Sequence, residues 1–412
     1  MYLDDVLTAQ KRGEALGIAS VCSAHPFVLK QTLQVFETPL IEATCNQVNQ
    51  YGGYTGMTPK DFVAYVRDIA AKNNFPFEKI ILGGDHLGPN VWQHEPAESA
   101  LQKSEVLIRE YVQAGFTKIH LDCSMKLGDD PAQPLDVEVI AGRAARLAQA
   151  AEHSLAPDPG LLRYVIGTEV PIPGGATVHE EGVVVTNVSD VRETIEVTRD
   201  AFYTQGLQSA WERVIAVVVQ PGVEFGDDFV LPYQRAAARE LSHFIEAQAL
   251  IYEAHSTDYQ TRVALKELVQ DHFGILKVGP GLTFAFREAV FALAAIEDEL
   301  ISSADRSNIL RILEDAMLRS PGHWKKYYHG NEEEQAYKRK FSLSDRIRYY
   351  WVQPEVQHAL AQLMMNLGSR TIPDALLKKY VDETGLGALQ VIESKINNVL
   401  AEYHFACQPC AD

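Results

Sequence analysis

Short runs of apolar, largely β-branched residues recur eight times along the chain, at residues 17–22, 39–43, 79–83, 118–121, 164–168, 214–219, 250–254 and 275–278. The run from Val214 to Val219 shows no alternation of apolar and polar positions, the pattern of a parallel strand buried on both faces. Between the runs lie segments with apolar residues at helical spacing, such as 98–114 and 236–248. Eight strand–helix units within about 300 residues predict a (β/α)8 TIM barrel, an α/β fold, over residues 1–300. An open doubly wound sheet would instead carry a glycine-rich phosphate loop, and the sequence has neither GxGxxG nor GxxxxGK[ST].

The strand pattern stops near residue 300. Stretches 302–319, 355–366, 373–383 and 388–403 read as helices, so residues 301–412 form a C-terminal helical extension. It contains two polar, aromatic-rich stretches, His323 to Tyr328 and Ser344 to Trp351, suited to fold over the barrel mouth as a lid.

In such barrels chemistry sits at the carboxyl ends of the strands. Those positions are unusually polar here: Glu42, Asn46 and Gln47 after strand 2, Asp85 and His86 at strand 3, His120 and Asp122 at strand 4. Glu169 follows strand 5, Gln220 and Glu224 strand 6, Glu253, His255 and Asp258 strand 7, and Lys277 and Gly279 strand 8. Packing gives no reason to gather so many costly groups at one rim. Imidazole with carboxylate is the ligand set of a zinc-type ion with an open position. His86 and His255 are therefore the expected metal ligands, with Glu169 as carboxylate and Gln220 as a weaker amide oxygen. His120 shares a face with Asp122 and is expected to support a ligand rather than be one. Asp85 is the expected general acid–base, with Asp122 or Asp258 as the second. Glu42, Asn46, Gln47, Lys277 and Gly279 are the expected substrate contacts.

Composition narrows the setting. A net charge of −18 with pI near 5.2 argues against nucleic acid or anionic membrane as partner. Met1 to Asp5 carries acid where a signal peptide carries base, and no apolar run approaches membrane-spanning length. Five cysteines, an odd and widely spaced set, fit reduced thiols in a cytoplasm. Cys407 and Cys410 have CxxC spacing but no second pair, and read as part of a frayed tail.

Several blocks carry a resemblance: Ser20 to Pro26, Gln47 to Met57, Gly83 to Asn90, Ile166 to Pro171, Val219 to Phe225, Tyr252 to Gln260, Lys277 to Pro280 and Ser342 to Trp351. Over nearly its whole length the chain resembles the Z-type subunits of tagatose-1,6-bisphosphate aldolase, relatives of the class II aldolases. The resemblance implies a class II aldolase barrel in which Asp85 donates a proton and His86 and His255 bind metal. Gln220 stands where that superfamily has a further histidine. It also implies that N–H groups after strands 7 and 8, at Gly279 and Gly281, receive a substrate phosphate, although Asp258 would repel one.

Two functions follow. The first is a metal-dependent 4-epimerase interconverting fructose and tagatose, free or phosphorylated, by retro-aldol cleavage and re-formation of the C3–C4 bond. Its cofactor would be a divalent metal, zinc first, with nickel, manganese or cobalt as alternatives. The second is a non-catalytic stabilising subunit partnered with a class II aldolase chain. A homo-oligomer is expected in either case. The acids at the rim favour the first.

Overall fold

The computed structural model describes residues 2–154, 159–167 and 184–409. Eight parallel strands close into a barrel in simple chain order: β1 (Ile18–Val21), β2 (Leu40–Thr44), β3 (Ile81–Leu87), β4 (Lys118–Leu121), β5 (Arg163–Ile166), β6 (Val214–Val218), β7 (Ile251–Ala254) and β8 (Phe273–Val278). All fall on the apolar runs. Strand β3 runs on to Leu87, past its expected end, so Asp85 and His86 lie within the strand.

Helices α1 (Tyr2–Lys11), α2 (Pro26–Val35), α3 (Pro59–Lys72), α4 (Ala97–Ala114), α5 (Val137–Glu152), α6 (Val188–Thr204), the short α7 (Gln208–Trp211), α8 (Arg239–Glu246), α9 (Arg262–Gln270) and α10 (Pro280–Leu300) accompany the strands. Local chemistry sets their ends. Thr58 and Asp61 form a capping box at the start of α3, and Gly115 in left-handed conformation (φ 103°) ends α4. Helix α1, which the sequence pattern did not reveal, closes the barrel floor. Its Leu3 and Val6 pack with the strand starts Ile18, Leu40, Ile81 and Ile275.

The extension holds α11 (Ile309–Arg319), α12 (Glu332–Phe341), α13 (Pro354–Gly368), α14 (Asp374–Tyr380) and α15 (Ala388–Cys407). Helix α12 has little apolar stripe; a capping box at Asn331 and Glu334, acids in its first turn and bases in its last support it. Helix α15 packs against α2, α9 and α10 and reaches β1, so it forms part of the barrel wall. There Gly17 N–H donates to the Cys407 carbonyl at 2.9 Å, and the Tyr403 hydroxyl donates to the Thr257 carbonyl at 2.8 Å. Cys407 is a buried free thiol, not a frayed end, while Cys410 lies outside the described residues. A short 3-10 turn, Arg346–Tyr350, lies at the barrel mouth. Asp345 just before it accepts from the Thr283 hydroxyl of α10 at 2.6 Å and faces Arg287 at 3.4 Å. No described helix is long and apolar enough to cross a membrane.

Candidate functional site

Five strands each place one charged side chain inside the barrel. Lys118 on β4 lies 2.5 Å from Glu42 of β2 and 2.6 Å from Glu253 of β7. Lys277 on β8 lies 2.5 Å from both Glu42 and Asp85. Buried charges survive only when paired this closely. Gly83 makes the arrangement possible: a Cβ there would fall 2.6 Å from Glu42 Oε1.

Above this layer sit three imidazoles, each backed by a carboxylate. His86 Nδ1 meets Asp122 at 2.8 Å, His120 Nδ1 meets Asp85 at 2.9 Å, and His255 Nε2 meets Glu253 at 2.9 Å. The His86 and His255 rings stand 4.9 Å apart, edge to face, and each is 5.2 Å from the His120 ring. His86 holds a left-handed backbone (φ 47°), a strained conformation typical of functional sites.

Electrostatics divide the rings. Burial opposes charge on His86, but Asp85 and Asp122 outweigh it and raise its pKa. Burial pushes His255 down to about 3, so this ring is neutral. Burial would raise Asp85, yet His86 and Lys277 hold it well below the usual carboxylate range. Glu253 is held low against burial by Lys118 and Lys277. Asp122 is lowered to about 2, its burial overcome by the His86 hydrogen bond.

The donor set fits a divalent ion. Atoms of Asp85, His120, Glu253 and His255 lie within 4.8 Å of one another. His120 Nε2 is buried without a hydrogen-bond partner, while its Nδ1 lies 2.9 Å from Asp85 and 3.2 Å from the backbone N–H of His86. Four carboxylates, those of Glu42, Asp85, Asp122 and Glu253, face two lysines, leaving negative charge for a cation. A second donor group, Cys22, Glu42 and Asp85, already encloses the Lys277 ammonium.

His120 and His255 both belong to the group that could hold an ion, and His86 stands beside it, its Nε2 3.7 Å from Asp85. Gln220 is not brought in: its amide oxygen accepts from the Gly222 N–H at 2.8 Å within its own turn. Glu169 lies outside the described residues. Asp258 lines the cleft with one carboxylate oxygen, Oδ1, already engaged. It accepts from the N–H groups of Gly279 at 3.0 Å and Gly281 at 2.7 Å, the two donors expected to receive a phosphate. Burial raises its pKa to about 6, with the two N–H bonds resisting.

The space above the cluster is narrow, about 90 Å³, and is lined by Asn46, Gln47, Lys277, Gly279 and Asp258 together with Tyr54, Arg348 and Tyr349. Sequence reasoning gave no role to Lys118, Glu253, Tyr54 or Tyr349. Strand alternation carried a signal for the first two. Lys118 shares a face with His120 and Asp122, and Glu253 with His255.

Comparisons with known proteins agree along the whole chain. The family model for D-tagatose-1,6-bisphosphate aldolase subunit GatZ/KbaZ-like proteins matches residues 3–408. The chain is 50% identical over 419 residues to a D-tagatose-1,6-bisphosphate aldolase subunit GatZ of Klebsiella pneumoniae subsp. pneumoniae, covering 98% of this chain and 99% of that one. It is 49% identical over 421 residues to a protein of the same name from Salmonella dublin, covering 99% of each. A solved structure described as a "probable tagatose 6 phosphate kinase" from Sinorhizobium meliloti 1021 superposes with a TM-score of 0.86 at 45% identity, over 95% of this chain and 100% of that one. The names of the two GatZ relatives overturn the expected free ketose 4-epimerase, because they describe an aldolase subunit, the second of the two readings.

Proposed function

The chain belongs to the D-tagatose-1,6-bisphosphate aldolase subunit GatZ/KbaZ-like family, and from that premise we propose that it is the non-catalytic, stabilising subunit of a class II tagatose-1,6-bisphosphate aldolase. One observation carries the reading: the groups that would act on substrate are engaged with one another. Asp258 takes up the Gly279 and Gly281 N–H groups, so a phosphate would have to displace a buried carboxylate. Asp85 lies in an ion pair with Lys277 and is held ionised, which suits a fixed counter-charge and not a proton donor.

The same cluster would hold a divalent ion through His120, His255, Glu253 and Asp85. Two imidazoles with two carboxylates favour zinc, with nickel, manganese and cobalt next. Such an ion, when bound, supplies Lewis-acid polarisation of a neighbouring oxygen. Here the chain's own residues tie β3, β4 and β7 into one centre, which suits a rigid scaffold for a second chain. Four free thiols are consistent with work in the reducing cytoplasm.

Co-expression with a class II aldolase chain of the same pathway tests the reading. The two should co-purify, the partner's activity should survive longer at elevated temperature, and this chain alone should not cleave tagatose 1,6-bisphosphate. Cleavage by the isolated chain, or a partner equally durable without it, would sink the proposal.

A further inference from the structure

Beside the barrel mouth, a cavity of about 970 Å³ opens between the extension and the loops after β2, β3 and β4. Its lining is cationic in a chain whose net charge is −18. Arg346 and Lys326 contribute full charges, and the single acid among the described lining residues, Asp122, is held by His86.

Arg346 is the unusual member. It is only 3% exposed, its Nη1 donates to the His323 carbonyl at 3.3 Å, and its guanidinium stacks 3.1 Å over the Tyr327 ring. Its Nε is buried with no hydrogen-bond partner. None of the ion pairs found among the described residues includes it, whereas the comparably buried Arg287 and Arg339 face Asp345 and Glu314. A guanidinium withdrawn from water without a counter-charge is costly, and the cost is relieved when an anion completes it. Burial, then Arg346 and Arg348, lower the pKa of the neighbouring His323, in keeping with a positive local potential.

We propose that this cavity binds the phosphate group of a small ligand, with Arg346 as the buried anchor and Lys326 as the rim cation. Guanidinium matches a phosphate bidentately, and the lysine adds a mobile point charge. Asn46, Tyr54 and Tyr349 line both this cavity and the narrow cleft above the histidines, so the rest of the ligand points toward the barrel axis. The assignment stands apart from the subunit reading, since binding requires neither turnover nor a partner chain.

Calorimetric titration of the full chain with inorganic phosphate, a ketohexose 6-phosphate and the free ketohexose tests it. Phosphate compounds should bind saturably and more weakly at high salt. Their affinity should fall about threefold or more in Lys326→Gln and about tenfold or more in Arg346→Lys. Lys72→Gln, an exposed pair on α3, should leave it unchanged. Tighter binding of the ester than of inorganic phosphate identifies the ester as the ligand, and equal binding identifies free phosphate. The proposal fails if neither phosphate compound binds, if the free sugar binds as well as its ester, or if Lys326→Gln, at an exposed site that leaves the fold intact, changes nothing.

Discussion

Asp345 joins the extension to the barrel, and burial raises its pKa to about 6 even with Arg287 opposing the shift. The unfolded chain titrates this group near pH 4. A raised folded pKa means that its contribution to stability is fully present below about pH 4 and lost as pH rises through about 6. Asp345→Asn should therefore remove on the order of 3 kcal/mol of pH-dependent stability across that window. Asparagine tolerates the left-handed φ of 47° at this position. Urea midpoints at pH 4, 5, 6 and 7 check this, and parallel profiles for the two proteins would disprove it. Lys118→Met should cost about 3–5 kcal/mol in denaturant unfolding, because it leaves Glu42 and Glu253 buried without their shared cation. These two residues also mark the reach of sequence reasoning. Asp85, His86 and His255 were legible because strand-end position alone marks them. Lys118 was not, because its role depends on two carboxylates 76 and 135 positions away in the chain, and only barrel closure brings them together.

At the scale of elements, the eight strands were legible because a strand buried on both faces must be apolar throughout. Two helices escaped for physical reasons. Helix α1 is short and buries its few apolar residues against strand starts scattered along the chain. Helix α12 rests on end chemistry and not on an apolar face. If α1 closes the floor as its packing indicates, Leu3→Ala should cost about 2–4 kcal/mol in denaturant unfolding, as for a core leucine. A cost near zero would mean that the helix rests loosely on the barrel. Within the extension, α15 lies in the outer wall of the barrel, and Arg348 and Tyr349 of the 346–350 turn line the cleft above the histidines.

For the whole molecule, acids at the rim pointed to catalysis when read as a sequence. Which of them are paired with a lysine or with backbone N–H groups is a property of three-dimensional register, and that pairing together with the family relation favours a supporting subunit. If the inner cluster carries a divalent ion, chelation should lower the melting temperature by about 1 °C or more, the shift expected for about 1 kcal/mol in a chain of this size. His255→Ala should abolish that sensitivity, with metal content followed by elemental analysis. Equal melting with and without chelator, in a protein shown to have held metal, would remove the ion's structural role.

The bond from Gly17 to Cys407 joins segments separated by nearly the whole chain. Ribosomes add about 5–20 residues each second, so β1 waits tens of seconds for the helix that seals its flank. Until then the seam between α2 and α9 lies open, its greasy side chains available to chaperones. A message cut short before codon 388 should therefore yield a product that is degraded and does not accumulate as a smaller working barrel.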